Sequence, residues 1–233
     1  MDGEQRRGDE PPRRGFLSRV LLTFTAPGAL GDSLRAHPAW FAAAVLGAVI
    51  LVGATAAIPA EVWSEFMRAQ TLARGGTVQE GAGNAELFRI IGIASAGLAW
   101  FVILFAFSGV LTFIFAFVLG DEGRYRQYLS ALAHANIIGA VGALVVTPLR
   151  IARRDPQLTL SVGTFVEGFL GDGFLLFWLR GLDLFAIWSW VVLAILVSRI
   201  DIRRSTGSSV SILLGLLLIL MSVVAWFQAR ALA

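Results

Sequence analysis

The chain has 233 residues, of which 57 % are apolar types and only 15 % are charged. A soluble domain carries roughly 25 % charged residues and has too much surface at this size to hide so many apolar side chains. The composition therefore excludes an ordinary soluble domain and favours a protein that is solvated by lipid. All 19 basic residues are arginines that flank apolar runs, which argues against nucleic-acid binding. The chain has no cysteine, so disulfides, thiolate metal sites and cysteine nucleophiles are excluded.

The N-terminal region carries two patterns. Residues 1–15 are charged and rich in glycine and proline, which predicts a disordered tail. Residues 16–34 place apolar side chains at helical spacing, which predicts an amphipathic helix in the membrane interface. Three nearby arginines are expected to face anionic lipid headgroups: Arg13, Arg14 and Arg19. Arg13 and Arg14 also resemble a twin-arginine export signal, but Pro27 breaks the apolar stretch and no small-residue cleavage site follows.

Long apolar runs dominate the rest of the chain. Crossing a hydrocarbon core of ~30 Å takes about 20 apolar residues in a helix. The sequence predicts five transmembrane helices, at residues 40–58, 88–119, 129–147, 184–198 and 210–227. The second run is long enough to require a tilt or a kink, and the fourth is short unless residues 174–182 or interfacial anchors complete it. Residues 16–233 are therefore predicted to form one all-α, polytopic bundle.

The segments between the runs predict the orientation. Residues 60–87 are expected to form a long loop, residues 120–127 a tight connection, residues 150–173 a longer one and residues 201–209 a short one. With the N-terminus inside, eleven of the 19 arginines lie on the cytoplasmic side and eight on the outer side. Because cytoplasmic loops carry the excess of basic residues, we expect a cytoplasmic N-terminus in a bacterial inner membrane.

His134 and Asn136 are polar residues inside the third predicted span. Ionisable groups at membrane depth are candidates for function because burying them is costly. The functional hypothesis is that they bind a polar solute or relay protons. The structural interpretation, which the sequence favours, is a hydrogen bond to a neighbouring helix. Two histidines without carboxylates at ligand spacing predict no metal site, and nothing in the sequence predicts a cofactor.

Charged residues also precede the fourth predicted span. Asp183 stands where a carboxylate can accept hydrogen bonds from the first turn of the helix. Arg180 lies three residues before it, which predicts an ion pair on one helical face. Glu167 and Asp172 resemble paired catalytic acids, but the sequence favours the wet face of a surface helix.

Small residues recur every four positions in two predicted spans. The third span has such a stripe, formed by Ala131, Ala135, Gly139 and Ala143. Ala43 and Gly47 repeat the spacing in the first span. Small side chains allow helix backbones to approach closely, so both stripes are predicted to lie in helix–helix contacts.

Three motifs in this order are similar to those of a known family. They are the approach to the first span, from Leu22-Thr-Phe-Thr-Ala-Pro27 to His37-Pro38-Ala-Trp40; the connection Leu119-Gly-Asp-Glu-Gly-Arg-Tyr-Arg-Gln-Tyr128; and the entry Leu182-Asp183-Leu184-Phe185-Ala-Ile-Trp188. Together they resemble the Yip family, the Ypt/Rab-interacting membrane proteins, in its bacterial form. The resemblance covers residues 16–230 and implies a five-span bundle with a cytosolic N-terminus. Eukaryotic members are trafficking adaptors that bind Rab GTPases and shape membranes.

These features favour a non-enzymatic membrane protein that organises membranes or recruits a partner. The expected partners are the lipid bilayer with its anionic headgroups, and a protein partner or a second copy of the chain. The alternative is a subunit of a small-solute transporter or channel, which requires polar residues around a wet midplane site. An intramembrane enzyme ranks lowest, because no serine–histidine pair, paired aspartates or metal cluster stands at depth.

Overall fold

The computed structural model describes residues 13–73, 75–77 and 85–230. Within these ranges every regular element is a helix, and extended backbone pairs only at one isolated antiparallel bridge, between Ser161 and Asp183. The prediction of an all-α fold is confirmed. Most of the predicted disordered tail, residues 1–12, lies outside the described residues.

Ten α-helices follow one another in the described chain. They are α1 (Phe16–Thr25), α2 (Pro27–Ala36), α3 (Phe41–Ala56), α4 (Ala60–Ala73), α5 (Ala85–Thr112), α6 (Tyr125–Arg153), α7 (Val162–Val166), α8 (Phe174–Arg180), α9 (Leu184–Ile200) and α10 (Thr206–Arg230). Helix α5 continues as one π-helical turn, Phe113–Val118. Such wide turns are uncommon and are often found at functional sites.

Among the described helices, three are long and apolar enough to cross a membrane: Arg89–Val118, Tyr125–Arg153 and Thr206–Arg230. A fourth crossing results if α3 and α4, bent by 79° at a short break, count as one span. Helix α9 is apolar but has only 17 residues, about 26 Å. The chain is therefore a multi-pass membrane protein, and the count of five spans stays a prediction that depends on α3 and α9.

Two predictions about the N-terminal half are wrong. Residues 16–34 form two helices instead of one, because Pro27 opens α2 and the residue before a proline avoids helical geometry. Ala26 accordingly has φ of −150°. Residues 60–87 are not simply a loop, since they begin with the 14-residue helix α4. Its buried Val62 and exposed Glu61 mark an amphipathic helix, whose polar residues interrupt the long apolar run that is typical of a transmembrane helix.

Helix α6 is the most buried of the three candidate spans. In the most apolar 18-residue stretch of each helix, 67 % of the residues are buried in α6, against 22 % in α5 and in α10. Its small residues Ala131 and Ala135 are buried, as is Ala43 in α3. Helix α6 runs through Pro148, beyond its predicted end, because an internal proline removes only one donor of the helix.

The close approaches include one of the two glycines expected, Gly47, but not Gly139. A side chain at Gly139 would meet nothing within 4 Å, so the prediction that Gly139 is a tight contact is wrong. A Cβ at Gly142, one turn on, would overlap Phe185, and one at Gly47 would overlap Trp100. Gly142 is offset from Gly139 by only about 60° around α6, since three residues turn a helix by about 300°, so the position of Phe185 decides which of the two is crowded.

The chain divides into two compact units. The first comprises residues up to 46, residues 102–138 and residues 188–215. The second comprises residues 47–101, residues 139–187 and the residues from 216 onward. Helices α1 and α2 belong to the first unit, and α4, α7 and α8 belong to the second.

We expect G142L to lower the thermal unfolding midpoint of the detergent-solubilised protein, whereas G139L leaves it nearly unchanged. The added side chain overlaps Phe185 at the first position and enters open space at the second. Overpacking of this kind costs about 1–3 kcal/mol. Equal midpoints for the two variants would contradict the packing described here.

Candidate functional site

Two loops of the first unit form a network of charges in which both aspartates are buried and Arg203 is exposed. The α5–α6 loop, residues 119–124, follows the π-helical turn and bends at Gly120, whose φ is +72°. The α9–α10 loop, residues 201–205, joins the last two helices. Since φ is positive at Gly120, a residue with a side chain is disfavoured there.

Arg204 and Asp121 make the more buried contact between the loops. The Arg204 Nε donates to Asp121 Oδ2 at 2.7 Å, and the Arg204 Nη2 donates to Asp121 Oδ1. The side chains are only 14 % and 5 % exposed. Arg204 also lies over the ring of Phe115, with its Cζ 5.4 Å from the ring centroid. A two-pronged guanidinium–carboxylate pair fixes both distance and orientation, so it holds the loops in register.

Asp201 and Arg203 add the second contact. Arg203 Nη2 donates to Asp201 Oδ2 at 2.7 Å, and the backbone N–H of Glu122 donates to the same oxygen at 3.0 Å. Arg203 Nη2 also reaches the carbonyl oxygen of Gly120 at 3.3 Å. Hydrogen bonds from Arg203 and from backbone N–H groups hold the pKa of Asp201 well below its usual range. We call these four residues (Asp121, Asp201, Arg203 and Arg204) the loop clamp.

Two stacked aromatic side chains pack against the loop clamp. Phe115 in the π-helical turn and Tyr128 in α6 are fully buried and stacked, with centroids 6.0 Å apart. Gly123 passes so close to Tyr128 and Ile200 that a Cβ there would overlap both side chains. The loop clamp therefore lies next to tightly packed, buried apolar side chains.

The loop clamp lines a cavity of about 380 Å³ together with Ser205 and Ser208. Two arginines face two aspartates, so the charges compensate each other. A cavity with balanced charge provides little attraction for a free anion or cation. The arrangement is suited to fixing the loops relative to each other.

His134 and Asn136, the predicted polar pair, belong to the first unit. His134 is 1 % exposed, and its Nδ1 donates to the carbonyl oxygen of Ser130 at 2.8 Å. This bond closes within α6 and does not reach a neighbouring helix. Asn136 is half-buried. Neither residue lines the cavity at the loop clamp or three further cavities of the described residues.

Arg180 and Asp183 belong to the second unit and do not form the predicted ion pair. Helix α8 ends at Arg180 and α9 starts after Asp183, so the two residues are not on one helix. Arg180 pairs with Glu167 at 3.2 Å instead. Asp183 accepts a hydrogen bond from the backbone N–H of Ala186 at 2.9 Å, the geometry of a helix cap. Glu167 follows the last residue of α7, and it and Asp172 are both exposed.

The arginines predicted to face lipid surround the start of α1. Arg13 is exposed, and Arg14 and Arg19 are half-buried. Arg19 Nε donates to the carbonyl oxygen of Arg14 at 2.9 Å, which ties the chain to the first turn of α1. Beside them Leu17 is 74 % exposed and Leu21 is 65 % exposed.

Sequence reasoning missed the loop clamp. Its partners stand about 80 positions apart, and the pattern within each loop is only that of a charged turn. The signal that was available is the pairing of an acidic stretch, Asp121-Glu122, with a basic one, Arg203-Arg204, at two loops predicted to lie on one side. Within the described residues no group of three histidine, aspartate or glutamate side chains is arranged to hold a metal ion.

Comparisons with known proteins agree with the motifs of the sequence. The Yip1 domain matches residues 21–227 of the chain. The membrane protein YknW of Bacillus subtilis (strain 168) is similar to it, with 26 % identity over 198 residues, or 84 % of each chain. No solved structure matches. The family match runs from within α1 to within α10, and the resemblance drawn from the motifs is confirmed.

We expect R204Q to destabilise the protein by about 3 kcal/mol, because it leaves the buried carboxylate of Asp121 without its partner. The matched control is R154Q, which breaks the pair between Arg154 and Glu65, both about half exposed or more. That change is expected to cost less than about 1 kcal/mol. Unfolding in mixed micelles measures both effects. A loss for R204Q no larger than that for R154Q would mean that the loop clamp does not stabilise the fold.

We expect D201N to reduce stability at neutral pH, and we expect this loss to become smaller as the pH falls. Because the folded-state pKa of Asp201 is lowered, its stabilisation is complete above the ordinary aspartate pKa of about 3.9 and is lost as the pH falls toward the depressed value. The difference in thermal midpoint between wild type and D201N should stay constant from about pH 5 to pH 8 and shrink below about pH 4. A difference that grows on acidification would contradict this assignment.

Proposed function

We propose, since this chain belongs to the Yip1 domain family, that it acts without catalysis as a multi-pass scaffold that contacts lipid and recruits a partner. The observation that carries the proposal is the surface of α1. Leu17 and Leu21 are exposed on this helix directly after Arg13 and Arg14. Apolar side chains next to arginines suit the boundary between acyl chains and anionic headgroups.

Helix α1 has the anchoring that this role requires. Thr23 is fully buried on one side of α1, and Phe24 meets Trp188 of the same unit edge to face at 5.7 Å. Leu17 and Leu21, spaced by four residues, lie together on the side away from Thr23. A helix held on one face and apolar on the other is positioned to rest in the membrane interface.

The interior of the first unit supports packing over transport. His134 is buried and hydrogen-bonded within its own helix, and a transport site needs such a group to face a wet cavity. Helix α6, the candidate span with the polar residues, is also the most buried of the three. These observations favour a packed bundle.

The proposed topology has five crossings with the N-terminus in the cytoplasm of a bacterium. The arginine distribution supports this orientation, because eleven of 19 then lie inside. The loop clamp and α1 then share the cytoplasmic surface, where a protein partner has access to both.

We expect the double variant R13Q/R14Q to bind phosphatidylglycerol more weakly than wild type, by about fivefold for each arginine removed. A basic residue near an anionic surface contributes about 1 kcal/mol. Titration of the delipidated full-length protein with this lipid, followed by native mass spectrometry, measures the loss. Higher salt should reduce the difference, because screening weakens the attraction.

The matched control is R68Q/R153Q, which removes the same charge from two exposed arginines of the second unit. Equal losses in the two variants would mean that total charge decides lipid binding, and the proposed role of α1 would be wrong. Solute flux in proteoliposomes that H134A abolishes would favour the transporter instead.

A further inference from the structure

Residues 160–184 of the second unit form a closed hairpin. Its neck consists of two antiparallel backbone hydrogen bonds, from Val162 N to the oxygen of Leu182 and from Leu184 N to the oxygen of Leu160, each 3.1 Å. Helices α7 and α8 lie inside the closed segment. We call this segment the α7–α8 hairpin.

Packing inside the α7–α8 hairpin makes it a defined body. Gly163 of α7 approaches Arg180 of α8 so closely that a Cβ at Gly163 would overlap both its backbone and its side chain. Ser161 caps α7 by accepting a hydrogen bond from Thr164 N at 3.3 Å. The ion pair between Arg180 and Glu167 closes the same region. These contacts fix which side chains point outward.

Contacts with α10 set the depth of the hairpin. Trp178 Nε1 donates to Ser222 Oγ at 3.2 Å, and a Cβ at Gly181 would lie 2.9 Å from the side chain of Met221. Ser222 stands five residues before Phe227, where the apolar run of α10 ends, a rise of about 7.5 Å. Since α10 is a candidate span, α8 meets it at a level inside that apolar run.

The outward surface of the α7–α8 hairpin is apolar. Phe169 is 90 % exposed and Phe165 is 71 % exposed, and three further large side chains are exposed as well: Val162, Phe174 and Leu175. Exposed carboxylates at Glu167 and Asp172 exclude the hairpin from the hydrocarbon core. Water is equally unsuitable for this many exposed phenylalanines in so short a segment. The interfacial layer accommodates both types of side chain.

We propose that the α7–α8 hairpin lies in the interfacial layer of the leaflet at the C-terminal end of α10, with Phe165 and Phe169 in contact with lipid. The depth set by Trp178 and Ser222 favours lipid over a soluble protein as the occupant. The proposal requires that α10 crosses the membrane. It does not depend on the lipid contact of α1, so either can fail alone.

The experiment uses the absence of cysteine from the chain, which makes any introduced cysteine a unique labelling site. F169C in the full-length protein is labelled with a nitrobenzoxadiazole dye and reconstituted into phosphatidylcholine–phosphatidylglycerol vesicles containing acyl-chain spin labels. The control is Q157C, an exposed residue outside the neck of the hairpin. We expect severalfold stronger quenching by the spin-labelled lipid at position 169, with a blue-shifted emission, and stronger quenching by aqueous iodide at position 157.

Other results overturn the proposal. Quenching by lipid at position 169 that is no stronger than at position 157 places the phenylalanine in water or against protein. A disulfide crosslink between two F169C copies in the membrane would identify a second copy of the chain as the occupant. The thermal midpoint of F169C provides the folding control, and it should match wild type because the side chain is 90 % exposed.

Discussion

A backbone that crosses hydrocarbon has no water to hydrogen-bond with, so each buried polar group must find its partner inside the protein. Three polar side chains of α6 find such a partner within the helix itself. Ser130 donates to Arg126 O at 2.6 Å, His134 to Ser130 O at 2.8 Å and Thr147 to Ala143 O at 2.9 Å. Ser189 of α9 donates to Ala135 O at 2.8 Å in the same manner. Each of these hydroxyl and imidazole groups therefore has a hydrogen-bond partner inside the protein.

The two units present different chemistry at their surfaces. The first has compensated charges in the loop clamp and uncompensated arginines before α1. Compensated pairs hold loops in place, and uncompensated arginines are available to ligands. The second unit carries exposed phenylalanines on the α7–α8 hairpin. The charges that order the loops of the first unit are therefore separate from the arginines before α1.

Composition and run length were enough to predict the fold class and the long spans, because the cost of exposing backbone to hydrocarbon depends on length and polarity alone. Features that depend on partners distant in sequence were not predictable. The pair of Asp121 with Arg204 requires knowledge of which loops meet, and Gly142 is distinguished from Gly139 only by the position of Phe185. Helix α4 was not predicted for a different reason: its mixture of polar and apolar residues resembles a loop when only apolar runs are counted.

The loop clamp also has a mechanical consequence. It joins the loop between α5 and α6 to the loop between α9 and α10, so the ends of four helices share one fixed point. A helix in a bilayer of changing thickness normally adapts by tilting on its own. Here the tied ends cannot slide past one another, so thinning or thickening of the surrounding membrane would have to swing the four helices jointly about that point.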